Sequence, residues 1–261
     1  MSGFRLTKWY LDCVTDTGFA LIGYAALVRW RGVRLPLAGL LTYEGDRPCG
    51  KAHVSLCWHP PVGDAELVNW NCRAFDFTGT WRSSSPAIQR VLYQEGGNEI
   101  IWRCLQPASL ANVEFGNGHV VGGRGYVECL EMTGLPWNMG LRHLRWGRFV
   151  SENESVIWIR WEGHHTRTYL IHNGRDVVGS VADDRIFSER QFDLHLSDPR
   201  LLRQGAIATT ALKSIPLVRA ILPRRLASIR EEKWLSRGTM IRADGTTALG
   251  WAMHERVSFD A

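Results

Sequence analysis

Short apolar segments separated by glycine-containing turns make up almost the whole chain. Runs rich in apolar, β-branched and aromatic residues, bounded by turn residues, are typical of strands. The pattern predicts strands at residues 9–14, 19–31, 33–41, 52–57, 67–77, 88–93, 99–105, 119–130, 141–150, 156–161, 168–172, 177–181, 204–211, 234–241 and 248–259. Turn sequences such as Asn173-Gly174 and Asp244-Gly245 favour antiparallel hairpins. Many short strands with close turns predict a mostly-β sandwich or barrel.

One segment departs from the strand pattern. Residues 215–230 carry apolar side chains at 215, 218, 221, 222, 226 and 229, which is the spacing of an amphipathic helix. Pro223 interrupts that helix, because proline lacks the backbone donor that a helix interior needs. The helix either caps the mouth of a barrel or lies on a surface.

The chain is long enough for two modest lobes, each with its own core. The apolar strands give way near residues 111–118 to Asn-Val-Glu-Phe-Gly-Asn-Gly, a stretch with turn composition. We therefore place a lobe boundary there, which gives an N-terminal β lobe at residues 1–115. The C-terminal β lobe then covers residues 116–261 and contains the helix at about 215–230.

Tryptophan is unusually frequent, with 12 residues spread from Trp9 to Trp251. Tryptophan is enriched where large apolar surfaces are covered or bound. Core packing accounts for some of these residues, and a wide aromatic-walled cavity accounts for the surplus more naturally. The expected partner is a hydrophobic small molecule.

The formal net charge of +5 is concentrated late in the chain. Residues 198–237 hold nine Lys and Arg against three Asp and Glu, a surplus of six. One interpretation is an anionic partner, such as membrane headgroups contacted through the basic 215–230 segment. The plainer interpretation, which we favour, is a solvated helix face. No nucleic-acid-binding motif accompanies the charge, so no nucleic-acid partner is expected.

Several chemistries lack their sequence signatures. The six cysteines show no Cys-x-x-Cys pair and no zinc spacing, so we expect reduced thiols and no metal. A phosphate loop, a dinucleotide-binding fingerprint and a Gly-x-Ser-x-Gly elbow are also absent, which predicts no cofactor. The first residues do not have the pattern of a secretory signal, and no apolar stretch is long enough to span a membrane. The expected location is the cytoplasm.

Residues 122–149 read GGRGYVECLEMTGLPWNMGLRHLRWGRF. A Gly-x-Gly-Tyr-x-Glu strand followed by a Trp-Gly pair resembles the junction motif of the lipocalin-like family that includes hydroxyneurosporene synthase and related carotenoid hydratases. Residues 8–12, 232–234 and 250–255 fit the same family. The resemblance implies two consecutive lipocalin-like antiparallel lobes, each a barrel or half-barrel, with a pocket in one barrel or between them. It also implies hydratase or cyclase chemistry. The chain departs from the family in being shorter and in having Glu128 where the hydratases usually carry aspartate.

Three residues of this motif are catalytic candidates. Arg124, Tyr126 and Glu128 share one strand face, because side chains alternate along a strand. A carboxylate among apolar walls has a raised pKa and suits a general acid, so Glu128 would protonate an alkene or carbonyl while Tyr126 orients it. The alternative is a structural ion pair between Arg124 and Glu128.

A second group of candidates follows the motif. Arg145 and Arg148 point to opposite faces of a regular strand. One of them could neutralise Glu128 or bind an oxygen of the substrate. The alternative is that the arginine bridges the two lobes and Trp146 serves as packing. Trp137 is expected to fill the lobe junction. The residues assigned to substrate binding are Trp137, Arg145, Trp146, Trp158, Trp161 and Tyr169.

Aromatic and histidine residues complete the candidates. Trp158, Trp161 and Tyr169 either form a pocket wall that stabilises a cation or belong to the core. His254 and Glu255 face opposite sides of the last strand, and we assign His254 as an inward-facing base; a buried structural histidine is the alternative.

These features together predict a cofactor-independent lyase or isomerase of secondary metabolism. Its substrate would be a hydrophobic, isoprenoid- or polyketide-like molecule held in a β-barrel pocket. The alternative is a non-catalytic lipocalin-like carrier of such a molecule. A third, weaker hypothesis is a membrane-surface adaptor that uses the 215–230 segment.

Overall fold

The computed structural model describes residues 3–44, 51–164, 166–210 and 224–259. Its strands are β1 Arg5–Val14, β2 Ala20–Trp30, β3 Val33–Tyr43, β4 Lys51–Ser55, β5 Val62–Gly63, β6 Leu67–Cys72, β7 Phe77–Ser83, β8 Ile88–Glu95, β9 Asn98–Phe115, β10 Val120–Thr133, β11 Leu141–Val150, β12 Ser155–Gly163, β13 Arg167–His172, β14 Arg175–Asp176, β15 Ser180–Val181, β16 Arg185–Ser188, β17 Phe192–Ala206, β18 Arg230–Arg242 and β19 Thr247–Ser258. A short helix, α1, covers Arg224–Ser228. The predicted mostly-β class with a helix in the C-terminal half is confirmed.

The strands form two antiparallel sheets with the same connectivity. The first runs in the order β4-β3-β2-β1-β10-β9-β7-β6-β5, with β8 also paired to β9. The second runs in the order β14-β13-β12-β11-β19-β18-β17-β16-β15. In each sheet the first strand of the lobe pairs with its last strand, so each lobe is a curled meander.

The change from the first sheet to the second comes between Thr133 and Leu141, through a 3₁₀ turn at Pro136–Met139. The boundary predicted between residues 115 and 116 instead falls in the turn between β9 and β10, which pair with each other in the first sheet. The Gly-Asn-Gly sequence there is a hairpin turn. It was interpreted as a lobe boundary because turn composition alone does not separate a hairpin from a lobe junction.

The late part of the chain differs from the predicted elements. Residues 211–223 lie outside the described residues, so the helix predicted at about 215–230 can be compared only from residue 224 onward. There α1 is its described helical part. The last predicted helical position, Arg230, begins β18 instead. Of the strand predicted at 204–211, residues 204–206 are the end of β17, which starts at Phe192; residues 207–210 form turns, and residue 211 lies outside the described residues. Exposed polar residues such as Ser197 and Asp198 interrupt the apolar pattern of β17 and conceal its length.

Side-chain alternation divides the apolar residues into three cores. Leu11, Cys13 and Trp70 belong to a core inside the first curled sheet. Phe149, Trp158 and Leu194 belong to a core inside the second. A third and larger core lies between the lobes and is built from both. Its members include Tyr10, Tyr126, Trp146, Trp251 and Met253.

Indole rings pack against glycines inside both curled sheets. Trp70 and Trp81 are completely buried inside the first lobe, and a Cβ atom on Gly23 would lie 2.2 Å from the Trp70 ring. Gly147 gives the same close approach in the second lobe, where a Cβ would lie 2.2 Å from the Trp158 ring. The indoles of the first lobe fill its interior, whereas in the second lobe Trp158 also lines a cavity of about 320 Å³ together with Trp234 and His254.

Candidate functional site

A cavity of about 350 Å³ lies between the two lobes. This volume is within the range of about 300–1,000 Å³ that is usual for small-molecule sites. Most of its lining is apolar and comes from both sheets and from α1. The polar and charged residues of the lining are Lys8, Tyr24, His53, Trp102, Glu128, Arg203, Glu231 and Glu255.

The lining is layered along the strands. On β10, Glu128 is followed on the same face by Leu130 and Met132, and all three line the cavity. On β19, Glu255 is followed in the same way by Val257 and by Phe259 just beyond the strand. Charged groups therefore collect at one end of the cavity, and the opposite end is apolar. We call these the charged end and the apolar end.

Glu128 is held by two neutral donors at the charged end. The Trp102 indole nitrogen donates to Glu128 Oε2 at 2.5 Å, and the Tyr126 hydroxyl donates to the same oxygen at 2.6 Å. Tyr126 is completely buried, and Glu128 is 8% exposed. Because both hydrogen bonds go to Oε2, Oε1 is the oxygen that can carry a proton toward a ligand.

The surroundings of Glu128 favour its protonated form. Burial raises the pKa of Glu128 above its ordinary value, and the hydrogen bonds from Tyr126 and Trp102 and the charge of Lys8 offset only part of that effect. Burial likewise raises the pKa of Tyr126 well above its ordinary value, so its hydroxyl keeps its proton and remains a donor. The result is a carboxylic acid in a fixed orientation at a cavity wall.

Glu255, a second carboxyl group, lies at the same end in the opposite electrostatic state. Its Oε2 forms an ion pair with the buried ammonium of Lys233. Although burial works against ionisation, the charges of Lys233 and Lys8 lower the pKa of Glu255, and Glu255 raises the pKa of Lys233. The Lys233 ammonium also lies 5.4 Å from the centre of the Tyr10 ring and 5.8 Å from that of Trp146.

The two carboxyl groups occupy equivalent positions in the two lobes. Glu128 pairs across the sheet with Tyr10, the sixth residue of β1, and Glu255 pairs with Trp146, the sixth residue of β11. Their neighbours on the other side differ: Glu128 lies opposite Cys104, whereas Glu255 lies opposite Lys233. A neutral residue at one position and a cation at the other produce the opposite pKa shifts.

Arg203 and Glu231 extend the polar wall. Arg203 forms an ion pair with Glu231, and its NH2 group also donates to Glu231 Oε2 at 3.0 Å. The same guanidinium lies 5.3 Å from the centre of the Tyr24 ring. This pair joins β17 and β18 to the face of β2 across the lobe interface.

The structure brings some of the candidates together and separates others. Glu128, Trp146 and Trp161 line the cavity, and Tyr126 touches Glu128 from behind. Arg124, four residues before Glu128, is not among the residues that line the cavity. β10 pairs with β1 without a register shift, so Arg124 keeps the strand face of Glu128 but lies opposite Val14, four residues before the point where the cavity lining of β10 begins.

The remaining candidates lie away from this cavity. Arg145 pairs with Asp183 at 2.6 Å, and Trp158 packs in the core of the second lobe. Trp137 lies under Arg225, 5.9 Å from its guanidinium, beside the lobe junction. Tyr169 is half-buried against the interlobe core.

His254 faces the interior side of the second lobe, away from Glu128. It stacks on Trp234 with ring centres 5.3 Å apart and shares a hydrogen bond with Ser236 at 2.9 Å. Burial and the charge of Lys233 lower its pKa to about 4. Glu255, the neighbour of His254 on β19, is the residue that lines the interlobe cavity.

Sequence reasoning missed Lys8, Tyr24, Trp102, Arg203, Glu231 and Glu255. Lys8 and Glu255 lie within segments that carried the family resemblance, which was the only local signal for them. Among the described residues, no group of three or more His, Cys, Asp or Glu side chains is placed to hold a metal ion. No helix in the described part of the chain is long and apolar enough to cross a membrane.

Compared by sequence, the chain matches no protein-family model and no curated protein. Compared by structure, it is similar to CghA solved with Sch210972, with a TM-score of 0.58, 9% identity, and coverage of 98% of this chain and 89% of CghA. A putative AttH from Nitrosomonas europaea gives a TM-score of 0.58 and 11% identity, covering 98% and 93%. Kievitone hydratase from Nectria haematococca gives a TM-score of 0.54 and 9% identity, with coverage of 100% of this chain and 90% of the hydratase.

The low identities and near-complete coverage show a shared fold. The chain has the two-lobed lipocalin-like fold of these proteins, as the resemblance implied. None of these three structures is a hydroxyneurosporene synthase. The structural comparisons therefore confirm the resemblance for the fold alone.

Proposed function

We propose that this protein is a cofactor-independent enzyme of the hydratase or cyclase type. Its substrate is a hydrophobic small molecule, isoprenoid- or polyketide-like, that binds in the cavity between the lobes. The observation that carries the proposal is Glu128: a buried carboxyl group oriented by Trp102 and Tyr126 at the wall of an apolar cavity. A carrier needs the apolar wall but not the oriented acid.

Glu128 is the general acid in this proposal. In a hydration, the O–H bond at Oε1 breaks and a C–H bond forms on the substrate alkene. Water adds to the resulting cation and returns a proton to Glu128, so the acid is regenerated. In a cyclisation, the cation is instead captured within the substrate, and loss of a substrate proton restores the acid. Trp146, on the cavity wall, faces the developing positive charge with its ring.

The cavity wall supplies the remaining contribution to rate. An apolar enclosure holds a flexible substrate in a reactive conformation and excludes bulk water from the cation. One structural neighbour is named as a hydratase, and another was solved with the small molecule Sch210972. Both names support small-molecule chemistry on this fold; neither identifies the substrate of this chain.

Native mass spectrometry of the protein purified from its own host tests the proposal, with Glu128→Gln as the variant. We expect the wild type to release a product and Glu128→Gln to retain an unconverted precursor. A mass difference of one water identifies a hydratase, and equal masses identify an isomerase or cyclase. Glu131→Gln is the matched control. Glu131 lies on β10 like Glu128, and it forms a partly exposed ion pair with Arg103.

The same experiment separates the enzyme from the carrier. If wild type, Glu128→Gln and Glu131→Gln all retain one unchanged molecule at equal occupancy, Glu128 is not an acid catalyst. The protein would then be a carrier that uses the same apolar cavity.

A further inference from the structure

Two cations, Lys8 and Arg203, line the cavity, and a third, Lys233, lies behind the wall in contact with Glu255; two of the three have carboxylate partners. Lys233 is paired with Glu255, and Arg203 is paired with Glu231. The remaining cation, Lys8, lines the cavity from β1 and is half-buried. Among the described residues, no carboxylate oxygen lies within 4.0 Å of its ammonium group.

Lys8 is nevertheless placed as part of the site. Its ammonium lies 5.4 Å from the centre of the Tyr24 ring, which also lines the cavity. Its charge is close enough to lower the pKa of both Glu128 and Glu255, which line the same cavity. A lysine in such a position has hydrogen-bond donors to offer to a ligand.

The charges around the cavity do not balance without a ligand. The cations are Lys8, Arg203 and Lys233, and the ionised carboxylates are Glu231 and Glu255. Burial and the lack of a cation within ion-pair distance favour the protonated form of Glu128, and they outweigh the hydrogen bonds that its carboxyl group accepts from Trp102 and Tyr126. One positive charge remains, and it belongs to Lys8.

We infer that the ligand of this cavity carries one acidic oxygen, a carboxylate or an enolate, and that Lys8 binds it. The ligand's apolar body then runs from the charged end past Leu130 and Val257 toward Phe259 at the apolar end. This inference rests on the proposed function only in placing the ligand in the same cavity. It narrows the substrate class from hydrophobes in general to acidic amphipathic molecules.

The orientation has a chemical consequence. An acidic oxygen on Lys8 places the adjoining carbons of the ligand near Glu128, because both residues line the charged end. A double bond conjugated to that oxygen is therefore the part of the ligand within reach of the acid. A neutral hydrocarbon would have no group to neutralise the charge of the Lys8 ammonium.

Binding of two matched probes, dodecanoic acid and dodecanol, tests the inference. We expect wild type to prefer the acid by about tenfold or more, the range of a hydrogen bond to a charged group. Lys8→Met should abolish that preference without weakening dodecanol binding, and Lys8→Arg should retain it. Titration calorimetry gives the affinities, and far-ultraviolet circular dichroism checks that each variant is folded.

Equal binding of acid and alcohol to wild type would overturn the inference, and so would an equal loss of both probes in folded Lys8→Met. If Lys8→Met does not fold, the wild-type preference and Lys8→Gln decide the question. Failure here is distinct from failure of the proposed enzyme. If Glu128→Gln traps a neutral precursor, the proposal that Glu128 is the acid catalyst stands, and the inference that Lys8 binds an acidic oxygen fails.

Discussion

Asp12 and Arg148 form a completely buried ion pair that joins the lobes at equivalent positions. Asp12 is the eighth residue of β1, Arg148 is the eighth residue of β11, and Arg148 Nε donates to Asp12 Oδ2 at 3.0 Å. The sixth residues of the same strands, Tyr10 and Trp146, also meet, with ring centres 4.9 Å apart. Although burial works against it, the carboxylate of Asp12 raises the pKa of Arg148. The first strands of the two lobes thus form the centre of the interface.

Removal of one partner of this pair should strongly destabilise the protein. Arg148→Met leaves the carboxylate of Asp12 buried without a cation, which typically costs about 3–5 kcal/mol. Urea unfolding followed by tryptophan fluorescence measures the loss. The double variant Asp12→Leu/Arg148→Met should recover most of it, because two apolar side chains leave no buried charge. A double variant as unstable as Arg148→Met would show that the interface needs the pair for its geometry.

Glu255→Gln should destabilise the protein at neutral pH by about 3–5 kcal/mol, because Lys233 then remains buried without a carboxylate. The folded-state pKa of Glu255 is lowered, so its stabilisation is present above the ordinary carboxyl pKa of about 4.3 and is lost as the pH falls through the folded-state value. The gap between wild type and Glu255→Gln should therefore narrow in acid. Urea unfolding of both proteins at neutral pH and at acidic pH measures this gap, with Glu131→Gln as the control for a partly exposed ion pair. A gap that is constant with pH would argue against ionised Glu255.

Lys8→Met should raise the pKa of Glu128 further. The charge of Lys8 lowers that pKa, so removing it favours the protonated carboxyl group. The infrared band of the protonated acid should persist to higher pH in Lys8→Met than in wild type, and Glu128→Gln assigns the band by removing it. If Glu128 is the acid catalyst, activity is lost as the pH rises through its pKa, and the alkaline limb should move upward in the same variant. An unchanged or lower titration midpoint would contradict the proximity of the two groups.

His254 should make stability depend on pH without affecting the ligand. Its pKa is lowered from 6.5 to about 4, so its contribution is present above 6.5 and is lost as the pH falls toward about 4. Over that range wild type should lose up to about 3 kcal/mol that His254→Gln does not lose. Urea unfolding at several pH values measures this difference. Dodecanoic acid affinity should be the same in both proteins, whereas a loss in His254→Gln would support the base role predicted from the sequence.

Ala26→Phe should block the cavity. Ala26 lines it from β2 at the level of Lys8, with which it pairs across the sheet. A phenyl ring there fills space that the ligand needs, so dodecanoic acid affinity should fall by about tenfold or more, equivalent to about 1.4 kcal/mol. Calorimetry measures the change, with exposed Ala74→Phe as the control. Unchanged affinity in Ala26→Phe would place the binding site elsewhere.

Local pattern was sufficient where one strand could be separated from its neighbours by turns. The strand predicted at residues 141–150 has the observed bounds, because Gly140 ends the preceding turn in the left-handed region and the next turn, closed by the hydrogen bond from Ser151 N to Glu154 O, follows Val150 directly. The start of β17 was missed because Asp198 and its polar neighbours are exposed there. Its pairing with β18, which is distant in sequence, maintains the strand where propensity does not.

The candidate site could be predicted only where its residues are close in sequence. Tyr126 and Glu128 were found because they are two residues apart on one strand. On β19 the alternation was interpreted correctly, but His254 was preferred to Glu255 because both faces of that strand are covered by side chains. Apart from the family resemblance of residues 8–12, no local signal identifies Lys8 as a cavity residue. Its role depends on contacts between lobes that only the folded chain supplies.

The separation of the lobe cores from the cavity between the lobes has an evolutionary consequence. Trp70 and Trp158 belong to separate interior cores, and the cavity is walled by the other faces of the same strands. Substitutions on the two faces of a strand therefore act on different properties: those facing inward change fold stability, and those facing the junction change what is bound. A lineage of such proteins can acquire new ligands by altering alternate residues, while the inward-facing residues conserve the scaffold.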